Sequence, residues 1–336
     1  PLVKTHKTLE IAEMMCADGD RAIVVSTLAE AEFFSASFQD ILYAVPVEPF
    51  KAPRLMALAA SLRAFHVLVD SEDGLGVLAA HPLPAGKPWS VFLKVDAGYH
   101  RAGVPPTAAV DLATAIAGGP GTTFAGIYCH SGHSYNCAGD SHEDVVAAAA
   151  AIAREECKIM AGLVATLEAA GCKPPVVSVG ATPSASAAAG FPGVTEIHPG
   201  NYCFFDRQQL ASGSCASLDD IACFVVTRVV GRYPHRNELL VDCGGLALHK
   251  DQAGACITEW GAFVDHPNLV LASLSQEVGI VRSRSGDPIP FDDFPLGKML
   301  RVAPNHSCMT AAMHAVYHVV DDAMTVVGEW VPCKGW

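Results

Sequence analysis

The chain has 336 residues, of which 51% are hydrophobic and 17% charged, with a formal net charge of -13 at pH 7. That length suits one large domain plus a smaller one. The acidic balance argues against nucleic acid or an anionic membrane surface as partner, and no apolar run approaches the roughly 18 to 20 residues a membrane span needs. Twelve cysteines, Cys256 among them, lie in apolar segments without a repeating spacing, as the buried thiols of a reducing, cytoplasmic compartment would. Pro1 opens directly on an apolar stretch with no initiator Met or signal sequence, so preceding residues, and any targeting information they carry, are expected.

The first two thirds alternate short β-branched runs with Ala/Leu-rich helical stretches. The predicted strands are Leu2 to His6, Ala22 to Ser26, Ile41 to Val45, His66 to Asp70, Ser90 to Asp96, Thr123 to His130, Val176 to Gly180 and Val194 to His198. Eight strands with intervening helices read as a (β/α)8 TIM-like barrel over residues 1–211. The rival is a doubly wound open sheet, but its Gly-rich dinucleotide turn has no counterpart here. Thr27 with Glu30 three residues later carries a capping pattern, and Ser141 to Asp144 opens a long helix from about Val145 to Ala170, stopped at Gly171.

Beyond Ala211-Ser212-Gly213-Ser214, a small polar linker, the pattern changes to β-type runs at Ile221 to Val230, Glu238 to Cys243, Leu269 to Leu274, Met299 to Ala303, Ala315 to Val320 and Met324 to Val327. No helix of any length is needed, so residues 212–336 read as a β-rich second domain. Near its end, His306 and Cys308 stand two residues apart. On a strand, positions i and i+2 face the same way, so the two can grip one metal ion with Ser307 turned away. An imidazole and a thiolate suit zinc best. A structural zinc site wants four protein ligands, so two ligands with open positions point to catalysis; taken alone, the pair reads first as a half-buried strand pair without metal.

In a barrel of this kind catalytic groups sit at the C-terminal ends of the strands. Val3-Lys4-Thr5-His6-Lys7 ends the first with lysines that, desolvated, can form a Schiff base and move protons; a lone lysine there is otherwise a solvated side chain. Lys94 to Gly103 ends the fifth. Tyr128 to Tyr135 ends the sixth with His130, His133 and Tyr135 inside eight residues, unusual for a structural turn. Gly180-Ala181-Thr182 and His198-Pro199-Gly200-Asn201 end the last two with backbone amides and hydroxyls, where a barrel commonly cradles a phosphate. A lysine, a phosphate cup and aromatic groups between them describe a pyridoxal phosphate site.

At these residues the sequence resembles the barrel-type pyridoxal phosphate enzymes of the alanine racemase fold group, and within them the D-threonine aldolase and eukaryotic D-serine dehydratase family. The resemblance runs from Val3-Lys4-Thr5-His6-Lys7 through Ser26-Thr27-Leu28-Ala29-Glu30-Ala31, His198-Pro199-Gly200-Asn201-Tyr202 and Val241-Asp242-Cys243-Gly244 to Thr310-Ala311-Ala312-Met313-His314 and Lys334-Gly335-Trp336. It implies that Lys4 carries the cofactor and that His130 stacks on its ring. It also implies that Gly180, Ala181 and Thr182 with Gly200 and Asn201 hold the phosphate, and that His306 and Cys308 bind a divalent metal, zinc or else manganese or magnesium. A homodimer acting on a small D-amino acid is implied as well.

Four positions depart from the family pattern. His198 stands where alanine racemase has an arginine on the pyridine nitrogen. Leu2 replaces a histidine before the lysine, Val278 replaces a histidine of the dehydratase, and His133 stands where the dehydratase has asparagine. The racemase's tyrosine base has no visible counterpart, which argues against racemisation. Two lyase reactions of a β-hydroxy D-amino acid remain: dehydration, and cleavage between Cα and Cβ. A base near the β-oxygen favours cleavage, and His133 has the right chemistry for one. The expectation is therefore D-threonine aldolase activity, with D-serine dehydratase as the alternative. A non-catalytic pyridoxal phosphate-binding protein is the remote third, and it leaves the dyad and the β-rich domain unexplained.

Overall fold

The computed structural model describes residues 1–17, 19, 21–254 and 257–336, which leaves Cys256 outside. The chain divides into two compact units, Pro1–Gly200 with Cys333–Trp336, and Asn201–Pro332. The division precedes the polar linker at Ala211 to Ser214. The stretch after Gly200 is bonded into the second unit instead: Gln208 N donates to Asn305 O at 3.0 Å, and Arg207 Nη1 to Asn305 Oδ1 at 2.9 Å.

The first unit is built on a parallel sheet of seven strands in sequence order: β1 (Ala22–Val25), β2 (Asp40–Pro46), β3 (Ala64–Val69), β4 (Trp89–Lys94), β5 (Thr122–Tyr128), β6 (Val176–Val179) and β7 (Glu196–Ile197). Both faces of these strands are apolar, and alternate residues sort into two layers. Ile41, Val67, Val91 and Ile127 join the large core, while Val24, Leu42, Leu68, Phe92 and Tyr128 form a smaller cluster with Leu2. The expected strand over Leu2 to His6 is reduced to a single bridge between Leu2 and Val24. Leu2 also reaches the other edge, where its N–H donates to Pro199 O at 3.3 Å. The strand ends there because the chain turns at once: Lys7 N donates to Val3 O at 2.9 Å, and Lys7 adopts a left-handed φ of 58°. Gly200 packs against this segment so closely that a Cβ on it would lie 2.9 Å from Leu2 O.

Helix caps follow the local sequence. Thr27 caps Leu28–Phe34 and Ser141 caps the long helix His142–Ala169, each in a reciprocal capping box, and Gly171 at φ 77° follows the latter's end. No helix among the described residues is long and apolar enough to cross a membrane.

The second unit holds a closed six-stranded antiparallel barrel of β8 (Val225–Tyr233), β9 (Glu238–Val241), β10 (Gly261–Phe263), β11 (Leu269–Leu274), β12 (Gly279–Ser283) and β13 (Met299–Pro304), and a separate hairpin of β14 (Tyr317–Val320) and β15 (Val326–Trp330). In β8 buried Val225, Thr227 and Val229 alternate with exposed residues, as a strand with one core face should. This unit does contain helices, contrary to expectation. Ser307–Met313 is one, and His306 is its N-cap in extended conformation. The eleven cysteines among the described residues are free thiols.

Candidate active site

In the first unit the strand ends gather two lysines, Lys4 and Lys94, and a column of rings. Lys4 lies in the turn after Leu2 and is half-buried; among the described residues its ammonium has no hydrogen bond or ion pair. Its turn is fixed from below. Lys7 pairs with Glu30, which is fully buried and whose Oε2 also accepts from Ser26 N at 2.6 Å and Thr27 N at 3.3 Å. Cys333 N donates to Lys7 O at 2.7 Å. His6 Nδ1 accepts from Thr8 N at 3.1 Å, and burial pulls that imidazole's pKa down to about 3, so it is neutral.

Beside Lys4 runs the column. Lys94 Nζ sits 4.6 Å above the Tyr128 ring, Tyr128 stacks on His198 at 4.0 Å and 11°, and His198 lies 5.9 Å from His130. Burial first, with the nearby charges of Lys94, Arg101 and Lys4, brings His130 down to about 3; burial likewise pushes His198 far below the usual histidine range. Both are neutral. His130 Nδ1 is 2.8 Å from Gly180 O, a carbonyl, so Nδ1 carries the hydrogen. Ser178 Oγ gives its one hydrogen to Glu196 at 2.5 Å, so it accepts from His198 Nδ1 at 2.8 Å. Gly180 has φ 129°, a conformation that needs glycine. Ala181 and Thr182, both buried, open the helix Thr182–Ala187 after it.

His133 and Tyr135 lie on a 3-10 segment, Gly132–Asn136. Gly132 leaves room for Tyr99, whose ring centroid lies 6.1 Å from His130 and 6.3 Å from His133. His133 is half-buried, and burial, opposed by Asp96, lowers its pKa below the ordinary value. Beneath the segment, buried Glu156 faces Ser131, Cys129 and the Gly180 amide; burial raises its pKa and those hydrogen bonds oppose the rise.

In the second unit His306 and Cys308 come together, but not as strand neighbours. His306 Nδ1 bonds Asp251 Oδ2 at 2.7 Å, which leaves its other nitrogen toward Cys308. Burial opposes the imidazolium, yet the Cys308 bond and charge, Asp206 and Asp251 outweigh it and raise the pKa to about 9. Asn201 Nδ2 lies 3.3 Å from Cys308 Sγ, so this side chain is directed at the dyad. Among the described residues no group of three or more His, Cys, Asp or Glu is placed to hold a metal ion. An imidazole oriented by a carboxylate beside a thiol that accepts an amide hydrogen is nonetheless a donor pair that fits a divalent ion. Sequence reasoning missed Lys94, Glu156, Asp206 and Asp251. Only Lys94 had a signal, its place at the end of a predicted strand.

A lysine, a neutral ring column and a glycine turn at the ends of a parallel half-barrel sheet are the arrangement on which the comparison with barrel-type pyridoxal phosphate enzymes of the alanine racemase fold group turns. Residues 1–208 match the family described as alanine racemase, N-terminal domain, and residues 222–320 the putative serine dehydratase domain; the chain belongs to this family. It is 38% identical over 363 residues to the D-serine dehydratase of Dictyostelium discoideum, covering all of this chain and 89% of that protein. It is 34% identical over 352 residues to the D-threo-3-hydroxyaspartate dehydratase of Delftia sp. strain HT23, covering 100% and 90%, and the solved structure of that enzyme superposes with a TM-score of 0.91. The Delftia dehydratase has also been solved as a histidine-to-alanine mutant and, in the metal-free form, as a cysteine-to-alanine mutant, the two positions two apart. The D-threonine aldolase of Filomicrobium marinum superposes with a TM-score of 0.83 at 26% identity, covering 99% of this chain and 87% of that one.

Proposed function

We propose that the chain is a pyridoxal phosphate- and divalent metal-dependent lyase that dehydrates β-hydroxy D-amino acids, D-serine first among them, to a keto acid and ammonia, and that it works as a homodimer. The observation that carries dehydration over cleavage is the 38% identity to a D-serine dehydratase across the whole chain, which reverses the sequence-based preference for an aldolase. Pyridoxal phosphate supplies an electron sink for the Cα carbanion and the metal a Lewis acid for the β-oxygen.

The chain's own residues do the rest. Lys4, half-buried and without a hydrogen bond or ion pair among the described residues, would hold the cofactor and would serve as the base for the Cα proton. His130 and His198, kept neutral by burial, do not compete for that proton. Gly180, Ala181 and Thr182, with Gly200, would take the phosphate, and Tyr135 would line the cofactor's surroundings. His306 and Cys308 hold the metal, consistent with the paired positions mutated in the Delftia enzyme.

A second reading, cleavage of D-threonine to glycine and acetaldehyde, is favoured by His133, a histidine left uncharged near neutrality by burial. The test offers D-serine and D-threonine to the purified enzyme. Dehydration gives pyruvate and 2-oxobutanoate with ammonia. Glycine and acetaldehyde as the main products from D-threonine would overturn the proposal. Chelation should stop turnover while the cofactor stays bound.

A further inference from the structure

The dyad is held by an unusual pair of buried polar side chains. Asp206 is fully buried, yet both of its carboxylate oxygens are bonded to the segments on either side of it. Oδ1 accepts from Gln209 N at 2.8 Å and so caps the helix Arg207–Ala211. Oδ2 accepts from Ser307 N at 2.7 Å, Ser307 Oγ at 2.9 Å and Asn201 Nδ2 at 3.0 Å. Four donors on one carboxylate meet the cost of burying its charge.

Asn201 extends this hold to the sulfur. Its Nδ2 lies 3.0 Å from Asp206 Oδ2, 3.0 Å from Ser307 Oγ and 3.3 Å from Cys308 Sγ. The amide N–H directed at the sulfur fixes where Cys308 Sγ lies. Neighbouring bonds fix the residue before His306 in the same way: Arg207 Nη1 donates to Asn305 Oδ1 at 2.9 Å, and Gln208 N to Asn305 O at 3.0 Å. The residues on both sides of His306 are thus clamped by the stretch that follows Gly200.

We infer that Asp206, acting through Ser307 and Asn201, is the positioning residue of the His306–Cys308 pair, fixing the Cys308 sulfur for a divalent metal before the metal arrives. Asp206 does not touch the ion. It sets the first turn of the helix Ser307–Met313 and the direction of the Asn201 amide. This inference rests on the reading of His306 and Cys308 as metal ligands. It assigns Asn201 a duty toward the sulfur, where the sequence pointed to the phosphate.

The experiment is cobalt(II) titration of the full chain with its pyridoxal phosphate bound, after removal of the native metal, followed by the thiolate-to-cobalt charge-transfer band and by chelator competition. The native protein should show the band, and Cys308→Ser should lose it. Asp206→Asn should weaken cobalt binding by roughly 10- to 100-fold, the usual loss when a residue orienting a ligand is changed. Because Asp206 is buried, Asn201→Ala serves as the second variant: it leaves the two Asp206–Ser307 bonds in place and should also weaken binding and shift the band. If either variant is folded by circular dichroism and binds cobalt with native affinity and an unshifted band, the role given to that side chain is overturned. If the native protein shows no thiolate band, or Cys308→Ser keeps it, the metal reading itself fails and the inference falls with it.

Discussion

Replacing Lys94 with methionine should abolish a pH dependence of stability that the native fold carries between about pH 8 and 10.5. Lys94 ends β4 at 6% exposure, and burial, aided by Arg101 and opposed by Cys129, Glu156 and Asp96, takes its pKa from 10.5 to about 8. Below pH 8 the folded and unfolded chains both keep the proton, and the cost of burying the ammonium is complete. Between the two values the unfolded chain still binds the proton that the folded chain has lost, so stability rises with pH; above 10.5 the effect is exhausted. At about 1.4 kcal/mol per pH unit the interval is worth about 3 kcal/mol. At pH 7 that cost is fully present in the native protein and absent from the variant, which should there be the more stable of the two. Urea unfolding of both proteins at steps from pH 7 to 10.5 measures the difference, in which titrations common to both cancel. The gap should move by about 3 kcal/mol in favour of the native protein; parallel curves would refute the placement of a buried, depressed lysine at this strand end.

Other substitutions address the remaining parts. Lys4→Ala should abolish turnover and the borohydride-fixed cofactor together, along with the yellow absorbance near ~420 nm expected of the bound cofactor; an active Lys4→Ala protein removes the assignment. Gly200→Ala places a Cβ 2.9 Å from Leu2 O and should cost about 1 to 3 kcal/mol by overpacking the sheet edge; an unchanged melting temperature would show that the edge yields freely. His133→Asn should cut any cleavage of D-threonine by roughly 10²- to 10⁴-fold, as loss of a positioned base does, while D-serine dehydration stays intact. Equal losses in both would leave His133 a supporting role only.

The barrel was legible because its strands are buried on both faces and therefore read as continuous apolar runs. Seven of the eight expected strands stand within two residues of their expected ends. The eighth failed for a reason no local pattern carries. Leu2 and Val3 have strand character, but the chain leaves the sheet there because Lys7 turns back to Val3 and its ammonium is drawn to Glu30. In the β-rich unit, Gly261–Phe263 and Gly279–Ser283 were missed. Both are short and begin with glycine, and closure of a barrel, rather than propensity, makes them strands. Lys94 and Glu156 illustrate the same limit at the site. Each looks like an ordinary charged residue on its element, and only burial makes it a perturbed one.

The dyad shows how two side chains can be brought together by a backbone other than the expected one. Two-residue spacing on a strand puts His306 and Cys308 on one face and leaves Ser307 over. In the structure the chain enters a helix at Ser307, and within a helix residues two apart point in different directions. The pair survives because His306 is still extended, at φ -139° and ψ 99°, while Cys308 lies in the first turn. The geometry that brings imidazole and thiol together therefore depends on where the helix begins. That point is set by Ser307, the residue the strand reading discarded, whose N–H and hydroxyl are both taken by Asp206. A helix starting one residue earlier would turn His306 into the helical spiral and away from the sulfur. The sequence separation between Asp206 and Ser307 hides this from any motif: spacing nominates the two side chains, but the residue between them is bonded to a carboxylate about a hundred residues away.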